Sequence, residues 1–174
     1  MVRSIELRRH TDNDGDVLSQ EGVEAALEIG ATLEGSYEVL VSSGAQRATQ
    51  TLACFLAVLG ETSPRGVLVD SRFRSKQEDR WKLAFQAGRG GDIASFLDAD
   101  PDLVREEAAL FSGALAEMFE GLRAGERALV VGHSPMQEAA VYGLTGKVVQ
   151  PLAKGAGIEV IQDDDGGYTV RELG

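Results

Sequence analysis

Two histidines occur in the 174 residues, His10 and His133. The first follows Val2 to Leu7, apolar at Ile5 and Leu7 with charge between, by way of Arg8-Arg9, and the second follows the apolar Ala128 to Val131 by way of Gly132, so both are expected where a strand gives way to a loop. A neutral imidazole is a competent nucleophile near neutral pH, and a protonated one donates hydrogen bonds to an anion. Arg9 precedes the first histidine, and Arg47 follows another apolar run, Tyr37 to Val41, by way of Ser42-Ser43-Gly44. A guanidinium grips phosphate oxygens through two parallel charge-assisted hydrogen bonds. Helices starting after residues 44 and 134 would add free backbone N–H groups and positive potential. Two imidazoles and two guanidiniums at matching strand ends point to the chemistry of a phosphoryl group.

The elements that must position these side chains are legible as an alternation. Val2 to Leu7 reads as a strand, followed by the acidic loop Asp12 to Asp16. From Ser19, an N-cap, the residues Val23, Ala26, Leu27, Gly30 and Leu33 fall at helical spacing, with Gly35 as the stop. Tyr37 to Val41 is a buried strand, Ala45 to Leu59 a helix and Val67 to Val69 a short strand. Ser71 to Arg80 is polar and fits no element. Asp92 to Leu97 reads as a short helix, and Asp100-Pro101 opens a long one with Val104, Phe111, Leu115, Met118 and Leu122 on one face, closed at Gly121 or Gly125. Ala128 to Val131 is a strand, and Ser134-Pro135 is expected to cap a helix running through about Tyr142. Ile158 to Gln162 and Tyr168 to Glu172 flank the turn-forming Asp163 to Gly167 as a hairpin. The expected fold is therefore α/β, a three-layer sandwich. Its mixed sheet is mainly parallel, with helices on both faces and a C-terminal β-hairpin, in one domain spanning residues 1–174. In such sheets ligands bind beyond the carboxyl ends of the strands, where Arg9, His10, Arg47 and His133 all fall.

Composition limits the partners. Seventeen basic against 28 acidic residues give a net charge of −11, which speaks against nucleic acid as a ligand, since such binding rests on neutralising many phosphates. An anion would need a local cationic pocket. No run of roughly 18 apolar residues is present to span a bilayer, and the first ten residues lack a signal-like apolar segment, so a cytoplasmic location is expected, away from membranes. The lone Cys54 lies in an apolar helix and is read as an unreactive thiol.

Four segments together resemble the histidine phosphatase superfamily, also called the phosphoglycerate mutase-like family. Ile5-Glu6-Leu7-Arg8-Arg9-His10-Thr11 is similar to its strand and Arg-His-Gly signature, and Leu18-Ser19-Gln20-Glu21-Gly22 to the start of its first helix. Ser42-Ser43-Gly44-Ala45-Gln46-Arg47-Ala48-Thr49-Gln50-Thr51 resembles its Ser-Ser-Pro-x-x-Arg-Ala-x-Gln-Thr segment, and Val130-Val131-Gly132-His133-Ser134-Pro135 its second-histidine motif. The short chain and the Gly-His-Ser-Pro form most resemble the SixA-type branch, whose members remove phosphate from phosphohistidine. The resemblance implies a covalent phosphohistidine on His10, with Arg9, Arg47 and His133 holding the phosphoryl oxygens and with no metal or other cofactor. It also implies a Glu or Asp after the third strand as proton donor; Glu78 is the candidate and Asp79 the second. Two departures stand out: Thr11 occupies the usual glycine position, and Gly44 the proline position. The expected substrate is a phosphorylated small molecule or phosphoprotein, and nothing in the sequence signals an oligomeric state.

Other readings of the same residues fare worse. Asp12, Asp14 and Asp16 suggest a calcium loop, but Val17 and Val23 fall where such a loop needs glycine and glutamate. Neither histidine has a ligand partner at zinc spacing, and no Gly-x-Ser-x-Gly elbow exists. A non-catalytic phosphate- or phosphoprotein-binding module of the same fold is the alternative from another class. A phosphomutase is a further enzymatic alternative, for which the chain offers little length for enclosing insertions.

Overall fold

A computed structural model describes residues 1–61, 63–88 and 90–174. In chain order the elements are β1 (Arg3–Arg9), β2 (Asn13–Asp14), β3 (Val17–Leu18), α1 (Gln20–Thr32), β4 (Val39–Ser42), α2 (Gln46–Leu59) and β5 (Val67–Val69). A 3-10 turn at Ser71–Phe73 follows, then α3 (Glu78–Ala87), α4 (Ile93–Ala99), α5 (Pro101–Gly121), β6 (Arg127–Gly132), α6 (Met136–Thr145), β7 (Gly157–Gln162) and β8 (Tyr168–Leu173). Six strands form one sheet in the order β5-β4-β6-β1-β7-β8. The first four run parallel, and β7 and β8 add an antiparallel edge. This is the α/β architecture expected from the alternation of elements.

Side chains on the sheet alternate between two buried layers, as the two-residue period of a strand requires. Leu40, Leu129 and Val131 pack with Ala26, Leu33, Leu52 and Phe55 of α1 and α2 on one face. Ile5, Leu7, Val39, Val41, Val130 and Ile158 pack with Phe111, Leu115 and Ala140 of α5 and α6 on the other. Glu6 and Arg8 of β1 are buried as well, because they satisfy one another: Arg8 Nε donates to Glu6 Oε2 at 2.6 Å, and the Tyr37 hydroxyl donates to Glu6 Oε1 at 3.0 Å. Arg8 is thereby committed to the scaffold, and Arg9 alone of the pair faces the strand-end cavity.

The caps predicted at Ser19 and Asp100 are formed, and Asp92 caps α4 in the same way, each side chain accepting a backbone N–H in the first turn of its helix. Three expectations need correction. Residues 12–16 are not an open loop but contribute a two-residue strand to a small hairpin, Asn13 pairing with Leu18. Ser71 to Arg80 contains the 3-10 turn and the start of α3, a helix that its two buried apolar residues, Trp81 and Ala84, hold against the core. Ser134 does not cap α6; its hydroxyl instead donates to Glu138 Oε2, and Pro135 precedes the first helical residue after a cis peptide bond. On α1 the predicted stripe is only partly buried. Ala26, Gly30 and Leu33 are inside, while Val23 and Leu27 lie at its rim.

Candidate active site

Parallel pairing of β1 with β6 sets Arg9 beside Gly132, so the next residue of each strand is a histidine and the two stand side by side. The His10 N–H donates to the Gly132 carbonyl at 3.0 Å, and the rings meet edge-on with centroids 5.4 Å apart. Pairing of β4 with β6 brings Ser42 beside Val131, and the Ser43 N–H continues the ladder to the Val131 carbonyl at 3.1 Å. Residues far apart in the chain are thus placed by register alone. Gly44, at φ +95°, then turns the chain into α2, whose second residue is Arg47. That positive φ suits glycine and forbids the proline of the related motif.

Arg47 joins the two imidazoles. Its Nε donates to His10 Nε2 at 3.3 Å, its Nη2 lies 3.4 Å from His133 Nδ1, and its Nη1 donates to Asp16 Oδ1 at 2.8 Å. A guanidinium has only donors, so the imidazole atoms facing it are bare nitrogens. The tautomers follow from the other side of each ring. His10 Nδ1–H donates to the Thr11 carbonyl at 2.8 Å, and His133 Nε2–H donates to Ser43 Oγ at 2.8 Å. His10 therefore holds its Nε2 unprotonated, with the lone pair accepting from Arg47. Burial pushes the His10 imidazolium down to about 4, with Arg47, Arg9 and Lys154 lowering it further and the Thr11 hydrogen bond opposing. Burial likewise holds His133 at about 3, with Arg47 and His10 adding to the effect. Both rings are neutral near pH 7.

Thr11 shows how the family's glycine position is filled here. Its N–H donates to Thr51 Oγ1 at 3.2 Å and its hydroxyl to the Gly22 carbonyl at 2.7 Å, which fixes the backbone beside His10 against α1 and α2. Gly22 permits this contact, since a Cβ there would lie 1.9 Å from the Asp12 carbonyl oxygen.

Arg9, His10, Arg47 and His133 line one cavity of about 570 Å³, and Glu78 stands in its wall. The structure thus brings together all five residues singled out in the sequence. Glu78 is partly exposed and accepts from Arg74 Nε at 3.2 Å. Asp79 is not among the cavity residues. Arg72 is bound to Asp70 and Glu117, and Arg80 to Asp100, so neither serves the cavity. Asp12 accepts from Ser19 and from Lys154, and Asp16 from Arg47, so two of the three loop carboxylates are occupied by partners rather than grouped. Among the described residues, no group of three or more His, Cys, Asp or Glu side chains could hold a metal ion. Cys54 is half-buried on α2, and burial pushes its thiol up.

Sequence reasoning missed a second layer. Arg9 Nη1 donates to the Leu152 carbonyl at 2.8 Å, and the Leu152 N–H donates to Glu138 Oε2 at 3.4 Å. Glu138, buried on α6, is pushed up by that burial, while Ser134 and the charge of Arg9 act the other way. An acid within Met136-Gln137-Glu138-Ala139-Ala140-Val141 was the available signal. The segment 149–156 carried none, having no period of its own, yet the Gly155 N–H donates to the Arg9 carbonyl at 3.1 Å and Lys154 lines the cavity. Aromatic residues also line the cavity: Trp81 and Phe85, on the helix that the sequence did not show, and Phe96, on the expected short helix.

No family model matches the sequence, and no curated protein matches it; the likeness lies in three dimensions. A phosphoglycerate mutase from Bacillus anthracis str. Sterne superposes with a TM-score of 0.75 at 17% identity, over 99% of this chain and 92% of that one. A mycobacterial glucosyl-3-phosphoglycerate phosphatase gives 0.69 at 16% identity, over 99% of each chain. The protein histidine phosphatase SixA, complexed with tungstate, gives 0.61 at 21% identity, over 98% of this chain and 96% of that one. At these identities the likeness is one of fold.

Proposed function

We propose that this chain, which has the fold of the histidine phosphatase superfamily, is a phosphatase that hydrolyses a phosphomonoester or a protein phosphohistidine through a covalent phosphohistidine on His10. The observation that carries the reading is the bare Nε2 of a neutral His10, held beside His133 by the guanidinium of Arg47 at the base of a cavity. A binding module has no need of an imidazole kept unprotonated at its phosphate site.

In the first step His10 Nε2 attacks phosphorus as the bond to the leaving group breaks. Arg47 turns its N–H groups from the two rings to the phosphoryl oxygens, and Arg9 supplies a second guanidinium. A phosphoryl group that arrives as its monoanion gives its proton to His133 Nδ1, and the imidazolium so formed donates to a third oxygen. This array of donors supplies charge stabilisation where charge accumulates. Glu78 gives a proton to an ester's leaving oxygen. In the second step water attacks phosphorus, the P–N bond breaks, Glu78 takes the water's proton and inorganic phosphate departs. A phosphohistidine substrate follows the same course with an imidazole as leaving group, and the fold shared with SixA supports including it.

The test is phosphate release from para-nitrophenyl phosphate and from a phosphohistidine peptide by the wild type and His10→Ala. Release by the wild type, lost in the variant, is expected. Retention of phosphate affinity without turnover in the wild type would mark a binding module instead, and transfer to an added phosphate acceptor in place of release would mark a mutase.

A further inference from the structure

The cavity is far larger than a phosphoryl group, and its walls differ in kind. Beyond the base, one side is polar, formed by Asn13, Gly15 and Lys154, the last held by Asp12 at 3.0 Å. Another part is lined from α3 and α4, by Trp81, Phe85 and Phe96 together with Glu78, Lys82 and Gln86. Trp81 and Phe96 pack edge to face, centroids 5.0 Å apart at 82°, and Phe85 lies against Phe96 at 6.4 Å. The one polar atom of Trp81 is turned away, its Nε1–H donating to buried Glu107 at 3.1 Å, so what it offers the cavity is apolar. Trp81 and Phe96 are almost wholly buried, each 3% exposed, whereas Phe85 is 57% exposed. An exposed aromatic ring that continues a buried aromatic wall into a cavity is surface left for a ligand to cover.

We propose that the aromatic residues of this wall are a subsite for the leaving group, and that the preferred substrate is a small-molecule phosphomonoester bearing an aromatic ring. The inference rests on the phosphatase reading for its placement of the phosphoryl group at His10. With the phosphate at the base, the leaving group extends past Pro135 and Met136 toward Phe85, where a planar ring stacks or meets the wall edge-on. Covering Phe85 and the ligand ring together is expected to favour an aryl-bearing substrate by about tenfold.

The experiment compares 3-phenylpropyl phosphate with n-propyl phosphate, whose leaving alkoxides have matching basicity, so that a difference reports the ring and not the chemistry. The same comparison is made with the two phosphonates, which bind without turning over, by calorimetry. In the wild type both kcat/KM and affinity are expected to favour the phenyl member by about tenfold. That ratio is expected to fall to near one in Phe85→Ala and to persist in Phe85→Tyr, which keeps the ring. Phe85 is at the surface, and circular dichroism checks that each variant is folded. Equal treatment of the two members by the wild type, or a preference that Phe85→Ala leaves intact, would overturn the subsite. A tenfold preference between phosphonates without any hydrolysis would sustain the subsite and sink the phosphatase reading; hydrolysis without preference would do the reverse.

Discussion

Lowering the pH from about 7 to about 5 is expected to cost the folded state roughly 1.5 kcal/mol for each of its two histidines. A histidine in the unfolded chain titrates near 6.5 and takes up its proton across this interval. Native His10 and His133, held at about 4 and about 3, do not. The unfolded state thus binds more protons, and stability rises with pH: the contribution is full above about 6.5 and is lost as the pH falls from there through the native values. Each pH unit below the unfolded value costs about 1.4 kcal/mol, so the span from 6.5 to 5 gives about 2 kcal/mol, reduced to about 1.5 for solvent that reaches the rings through the cavity. The figure depends only on the native values lying well below 5. Urea unfolding at both pH values, for the wild type, His10→Asn and His133→Asn, checks it. Each variant is expected to lose about 1.5 kcal/mol less than the wild type on acidification, and carboxylate titration cancels in the comparison. Equal losses in all three proteins would mean that the native rings protonate normally. The argument that His10 keeps a bare Nε2 would then fail.

Other substitutions probe the site and its frame. Arg47→Ala removes the group that contacts both imidazoles, and kcat/KM for para-nitrophenyl phosphate is expected to fall by about a hundredfold or more. Steady-state kinetics that show less than a tenfold loss would take Arg47 out of the phosphoryl clamp. Glu78→Gln is expected to slow hydrolysis of alkyl phosphates while sparing a phosphohistidine peptide, and equal rates on the two relative to wild type would remove Glu78 as proton donor. Gly22→Ala forces a Cβ against the Asp12 carbonyl and is expected to lower stability by about 2 kcal/mol, seen as a reduced midpoint in thermal unfolding. An unchanged midpoint would show that the 12–18 hairpin yields easily.

The sheet, its helices and the cavity's phosphate end were legible because they depend on local signals. Alternating apolar and charged residues mark β1, apolar runs mark β4 and β6, a cap marks each of α1 and α5, and the four polar residues stand at the ends of strands whose parallel order puts them on one edge. What was illegible depends on contacts between distant segments. Helix α3 has a polar sequence and forms because Trp81 and Ala84 find a core built elsewhere. Glu6 and Arg8 are charged yet buried, since each meets the other across one strand face. Segment 149–156 has no regular structure, and its bonds to Arg9 and Glu138 could not be foreseen from spacing. Ser134 looked like a cap from its place before proline, but the carboxylate of Glu138 one turn on is the stronger acceptor for its hydroxyl. Thr11 was a departure in the motif; in the fold its hydroxyl does the anchoring, through Gly22 and Thr51.

The central claim is that phosphate passes through a bond to His10. Mass spectrometry of protein quenched in acid-free conditions during turnover of para-nitrophenyl phosphate tests it directly, with peptide mapping to locate the adduct. A single phosphoryl group on His10, formed and lost at the rate of turnover and absent from His10→Ala, is the expected result. Turnover that continues in His10→Ala, or phosphate found on another side chain, would contradict the account.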